Sequence, residues 1–231
     1  MMPESNAVGD KRLSGEVLSF GTWLVLVVGS YLYVSGVLIG RGDPFLSGNG
    51  GWDLLLVVVF YPLFFVLGPR HNWLPTVMSP RTVLEWNGLY YLVPFFLALH
   101  WDSVGRALGV SFSLRGDDLG SLDARGTIIL IIALAVLAGL LTYHVVWARR
   151  SGILRPYLAA LIGIPCVVAI IIVSLGDQFY VHVHHFILGA FLFPFFRFRT
   201  VPSLVAQAVF LGLAVEGISR WGIDPLWYSI G

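Results

Sequence analysis

The sequence predicts an all-α membrane protein: a bundle of about seven transmembrane helices with short loops and its N-terminus on the cytosolic side. Of the 231 residues, 57% are apolar and only 12% are charged, with a mean hydropathy of +0.83. A soluble globular domain carries about 25% charged residues. A chain of this length cannot enclose so much apolar surface while so few charges face water, so part of its solvent is lipid. The apolar runs are also continuous rather than alternating, and in lipid every backbone amide needs an internal partner, which favours helices over a barrel. These observations exclude soluble enzyme folds and disordered tails. With 14 basic residues against 13 acidic ones, there is no electrostatic footprint for nucleic acid.

Residues 1–19 form a polar N-terminal tail carrying Glu4, Asp10, Lys11, Arg12 and Glu16. They fit neither a cleavable secretory signal nor an Arg-rich presequence poor in acids, so the first span is expected to act as its own insertion signal. A membrane core of about 30 Å takes about 20 apolar residues as a helix. Seven segments meet or approach this length within a transmembrane domain at 20–219: 20–40, 53–69, 83–100, 127–148, 154–175, 181–196 and 202–219. The fourth and fifth are the clearest. The sixth, VHVHHFILGAFLFPFF, is short and begins polar, so it is expected to tilt, lie partly in the interface or thin the bilayer. Pro62, Pro94, Pro165 and Pro194 fall inside spans and should kink them. The long loop at 102–126 reads as a short interfacial piece followed by a turn, and residues 220–231 as a C-terminal tail.

Basic residues orient the bundle. Lys11, Arg12, Arg70, Arg81, Arg149, Arg150, Arg155, Arg197 and Arg199 share one side of a seven-span map, nine charges in all. The other side holds Arg41, Arg106, Arg115, Arg125 and Arg220, diluted by four aspartates. The richer side is expected to face the cytosol or its equivalent. Trp23, Trp52, Trp86, Trp101, Trp147, Trp221 and Trp227 sit near span ends, where the amphipathic indole prefers the interface.

Candidate chemistry gathers at the opposite face. The stretch GDQFYVHVHHFILGAF carries Asp177, His182, His184 and His185. As a helix it would set His182 and His185 on one face; as an extended strand, His182 and His184. Imidazoles with carboxylates and no sulfur are a ligand set for zinc, copper or iron. The alternative is an interfacial cluster that hydrogen-bonds headgroups and loops. The map places His100, Asp102 and Glu216 at the same level. Glu216 is ionisable within a span, which marks a functional candidate, although Arg220 four residues on offers a structural ion pair. The expected metal set is therefore His182, His184, His185, His100, Asp177 and Glu216. A single haem between His100 and one of the trio is the weaker fit. His71 reads as a solvated loop residue, and His144 lies at the cytosolic end of the fourth span.

The sole cysteine, Cys166, rules out an intrachain disulfide and reads as a buried hydrophobe. Six histidines are too few for a multi-box di-iron hydroxylase, and the sole lysine, Lys11, is misplaced for a retinal protein. Walker, HExxH, GxSxG and GxGxxG motifs are missing, and the acidic RGDDLGSLD loop lacks EF-hand spacing.

The stretch HVHHFILGAFLFPFFRFRTVPSLVAQAVFLGLAVEGISRWGIDP, with its HxHH, Gln-containing span and RWGxD ending, resembles a C-terminal membrane segment of fungal LCCL-domain membrane proteins. The LCCL domain itself is absent from the chain. The resemblance implies that His182, His184, His185, Arg220, Trp221 and Asp224 form one structural unit, and it brings no reaction with it.

Two functions follow from this reading. In the first, the outer cluster binds a transition metal and acts on a lipid-accessible substrate. In the second, the chain is a non-catalytic accessory subunit whose partners are lipids and other membrane subunits, with Gly29, Gly36, Gly139 and Gly212 permitting close helix contacts. A transporter ranks last, because mid-span polar residues are few. The seven-span map makes a direct prediction: cysteines placed at Ser151 and Ser121 label from opposite sides of the membrane. Labelling of both from one side would overturn the map.

Overall fold

The structure, a computed structural model, describes residues 4–39, 50–71, 86–108, 122–175, 179–181, 185–222 and 227–229. In chain order the elements are α1 (Glu4–Tyr33), which continues through a π-type turn at Val34–Leu38, α2 (Gly50–Leu67) with a 3-10 turn at Pro69–His71, α3 (Trp86–Leu99) and α4 (Trp101–Leu108). They are followed by α5 (Ala124–Arg150), α6 (Leu154–Leu175), β1 (Phe179–Val181), α7 (His185–Leu192) with a 3-10 turn at Phe193–Phe195, α8 (Val201–Trp221) and β2 (Trp227–Ser229). The polar N-terminal segment is thus the first part of the helix that carries the first apolar run.

Among the described residues, four helical stretches of 21 to 27 residues are long and apolar enough to cross a membrane: Gly15–Leu38, Ala124–Arg150, Leu154–Ser174 and Val201–Trp221. Shorter apolar helices cover Val57–His71, Gly88–Leu99 and Phe186–Phe195. The sixth apolar segment is the shortest because α7 gives way to the 3-10 turn at Phe193–Phe195. Pro194 therefore lies in that 3-10 turn at the end of the apolar stretch, not within an α-helix. Pro62, Pro94 and Pro165 do lie inside helices.

Each element obeys local rules. Asp123 caps α5, its side chain accepting from Gly126 N–H at 2.7 Å, and Arg149 and Arg150 occupy the last turn, where the helix dipole favours cations. The corner into α6 passes through Gly152 at φ 73°, a conformation that L side chains rarely adopt. Thr200 caps α8, whose second residue is Pro202. β1 and β2 form an antiparallel pair with Tyr180 opposite Tyr228, two short strands that the all-α expectation did not include.

The core is built around α8. Leu204, Ala208, Leu211, Val215 and Ile218 recur at helical spacing on it and meet Trp23, Val27 and Tyr31 of α1 and Tyr91, Phe95 and Leu99 of α3, with Phe186 of α7 in the same cluster. Val57, Tyr61 and Phe65 bring α2 to that cluster. Trp23 Nε1 donates to the Tyr91 hydroxyl at 3.2 Å, which ties α1 to α3 within the buried layer. The α5–α6 pair is different: only 6% of the most apolar stretch of each helix is buried, against 67% in α8.

Between helices, α8 comes close to its neighbours' backbones at two glycines. A Cβ on Gly212 would lie 2.6 Å from the Phe95 carbonyl oxygen and 2.7 Å from Ala98 Cβ of α3. A Cβ on Gly189 would lie 2.6 Å from the Phe210 carbonyl oxygen of α8. Within the chain, Gly212 makes such a close helix contact, whereas a Cβ on Gly29, Gly36 or Gly139 would meet none of the chain's own atoms within 4 Å. Gly212→Ala and Gly189→Ala should each destabilise the protein by about 1–3 kcal/mol, the usual effect of overpacking. Thermal melting in detergent would register this, while Gly139→Ala leaves the melt unchanged.

Candidate functional site

The buried polar groups lie at two poles. At the end where α1, α3 and α8 finish, His100 follows α3 in a turn. Its Nδ1 lies 2.8 Å from the Phe96 carbonyl and its Nε2 3.2 Å from the Tyr33 hydroxyl. A carbonyl can only accept, so Nδ1 carries the proton and Nε2 accepts from Tyr33. One turn before its end, α8 carries the fully buried Glu216, whose Oε1 accepts from Arg220 Nε at 2.8 Å. Arg220 also reaches Asp102 at 3.3 Å, and Asp102 in turn pairs with Arg106 on α4. Ser35 Oγ donates to the Ser219 carbonyl at 3.3 Å.

His100, Asp102 and Glu216 are thus brought to one pole, as the sequence expects, and Arg220 is the cation that joins Glu216 to Asp102. A metal could take only Nε2 of His100, and only by displacing Tyr33. Among the described residues, no group of three His, Cys, Asp or Glu side chains could hold a metal ion. His182, His184 and Asp177 lie outside the described residues, as does Asp224; the backbone of His185 opens α7.

The opposite pole holds a cluster that sequence reasoning passed over. His144 of α5 is fully buried, with Nδ1 2.7 Å from the Leu140 carbonyl and Nε2 2.7 Å from Ser203 Oγ of α8. By the same carbonyl argument, Nδ1 carries the proton and Nε2 accepts from Ser203. Thr200 donates its hydroxyl to Ser203 Oγ at 3.1 Å, while the Ser203 N–H donates to Thr200 Oγ1 at 3.3 Å. The rings of Phe196 and Phe198 close over the imidazole, with centroids 4.8 and 5.9 Å away. A serine–imidazole pair at this distance has the first requirement of a nucleophile and its base. Here, however, the serine is fully buried, and the pair acts as a tether between α5 and α8. The seven-span map places the end of α5 and the start of α8 at one level, so this juxtaposition was legible; the pairing itself was not.

Gln207 completes the interior. Its amide donates to the carbonyls of Phe196 at 3.2 Å and Phe193 at 3.5 Å, in the turn where α7 ends early. No family model matches the chain, and neither a curated protein nor a solved structure does.

The ion-pair geometry predicts a non-additive mutant cycle. Arg220→Gln leaves the Glu216 carboxylate buried without its close cation and should cost about 3–5 kcal/mol. Adding Glu216→Gln should recover most of that loss, as read by melting of the two single variants and the double variant. Equal, additive losses would mean that the pair is not coupled.

Proposed function

We propose that this protein crosses the membrane seven times, with the Arg149–Arg150 end in the cytosol, and serves as a non-catalytic component of a larger membrane assembly. The observation that carries this reading is how the histidines and carboxylates around α8 are used. His100, His144, Glu216 and Asp102 each bond to another group of the chain, across helices in most cases. Groups committed in this way hold helices together. The four long apolar helices make a membrane protein of the chain. The contacts between helix ends support the fuller seven-span reading: Glu16 of α1 meets Arg70 after α2 at 3.3 Å, and Tyr157 near the start of α6 meets the Phe195 carbonyl at 3.4 Å. At the other end Tyr33 meets His100 and β1 meets β2.

The α5–α6 pair supplies the surface for assembly. Ile128, Ile131, Val136, Val167 and Ile170 are exposed there. Ala135 and Gly139, four residues apart on α5, are exposed as well. Small residues at that spacing let a second membrane helix approach closely.

A second reading retains the transition metal. It rests on the register of α7: Gly189 lies against Phe210 and Ala214 of the antiparallel α8, which sets the start of α7, His185, about level with Glu216–Ile218.

One preparation separates the two. Solubilised in mild detergent, the protein should run as a complex with other membrane proteins and be metal-free. Gly139→Leu should release it from the complex without changing its own melting. Recovery of the chain alone with bound zinc, copper or iron that is lost in His182→Ala and His185→Ala would replace the assembly reading with the metal one.

A further inference from the structure

The pole that carries His144 also gathers most of the described arginines. Gly68, just after α2, is pressed on the α7–α8 connection: a Cβ there would lie 2.7 Å from Pro194 Cα. That contact sets the Pro69–His71 turn against the segment leading to Arg197, and burial, with the charges of Arg197 and Arg70, holds the His71 imidazole below its ordinary range. Tyr157 of α6 packs on the same segment, its hydroxyl donating to the Phe195 carbonyl at 3.4 Å and its ring 5.9 Å from that of Phe198. Arg197 itself is half-buried between the buried Phe196 and Phe198. Burial holds its guanidinium below the ordinary arginine range, and Tyr157 acts in the opposite direction. Arg149, Arg150, Arg155 and Arg199 are exposed around it.

Negative charge is scarce here. Among the described side chains, Glu16 is the carboxylate at this pole, and it pairs with Arg70 at 3.3 Å. No described carboxylate pairs with Arg197. A guanidinium partly withdrawn from water without a counter-charge is costly, and its planar fork suits two oxygens of one phosphate. The level in the membrane is marked by Trp147, with the Arg150 guanidinium 5.7 Å above its ring, an arrangement typical of the headgroup layer.

We propose that this pole binds the phosphate of an anionic lipid headgroup, with Arg197 as the central contact and the Pro69–His71 turn and Tyr157 as its walls. Basic pockets between membrane helices on the cytosolic side take such headgroups. The inference rests on the membrane-spanning reading but not on the direction of insertion, because the site can be assayed in micelles.

The test is melting of the purified full chain in an uncharged detergent, titrated with phosphatidylglycerol, phosphatidylcholine or inorganic phosphate. Phosphatidylglycerol should raise the melting temperature, because a ligand that binds the folded state stabilises it; the other two should not. Arg197→Gln should weaken the phosphatidylglycerol response about five-fold, the weight of one basic residue on an anionic lipid. Arg199→Gln, at an exposed neighbour outside the core, should weaken it in the same sense, while Arg106→Gln at the other pole leaves it intact. An equal response to phosphatidylcholine, or an unchanged response in both Arg197→Gln and Arg199→Gln, overturns the proposal. A matching response to inorganic phosphate overturns the lipid assignment in favour of a soluble anion. A chain that stays folded and monodisperse without detergent would instead refute the membrane reading beneath it.

Discussion

The close approach of α8 to α3 and α7 governs where everything else in this protein sits. Lipid chains are as apolar as leucine, so membrane helices gain little by hiding apolar surface from them and associate through close packing and interhelical bonds. Gly212 and Gly189 remove the side chains that would hold the backbones apart, and the Phe95 and Phe210 carbonyls occupy the freed space. Once α8 is enclosed, its polar residues are enclosed with it. Ser203, Gln207, Glu216 and Ser219 are all fully buried.

That enclosure makes satisfaction of those groups compulsory, and each finds a partner within the protein. Ser219 turns back to the Val215 carbonyl at 2.6 Å. Gln207 serves carbonyls of the turn in which α7 ends early, so a short sixth segment and a glutamine in the seventh are two sides of one solution. Ser203 reaches α5 through His144, and Glu216 reaches the α3–α4 corner through Arg220. The tether at His144 has particular weight because the α5–α6 pair is otherwise lightly packed against the rest. Its other fastenings include the aromatic group of Trp147, Tyr157 and Phe198 around Ala148, and Leu137, Leu140, Leu141 and Leu161 against Leu192, Phe196 and Ala206.

Much of this was open to reading along the chain. The segment 154–175 coincides with α6, and the Glu216–Arg220 spacing anticipated their ion pair. The level of His100 and Asp102 near the end of α8 followed from alternation of the spans. Other features were hidden. Gly139 and Gly212 look alike in sequence, yet one faces open space and the other a carbonyl. His144 looked like a stray residue near a span end, because its partner is 59 positions away.

The sequence by itself determined the membrane character and the long apolar helices, because hydropathy and span length act locally along the chain. Tertiary structure alone decided which of those polar groups are engaged and with whom. Hydrogen bonds and ion pairs depend on ångström-scale approach between helices, and that approach is set by which glycine faces which backbone. For that reason His100 and His144, two histidines with the same bond to a carbonyl four residues back, end in different roles: one beside a tyrosine at a helix corner, the other locked to a serine inside the bundle.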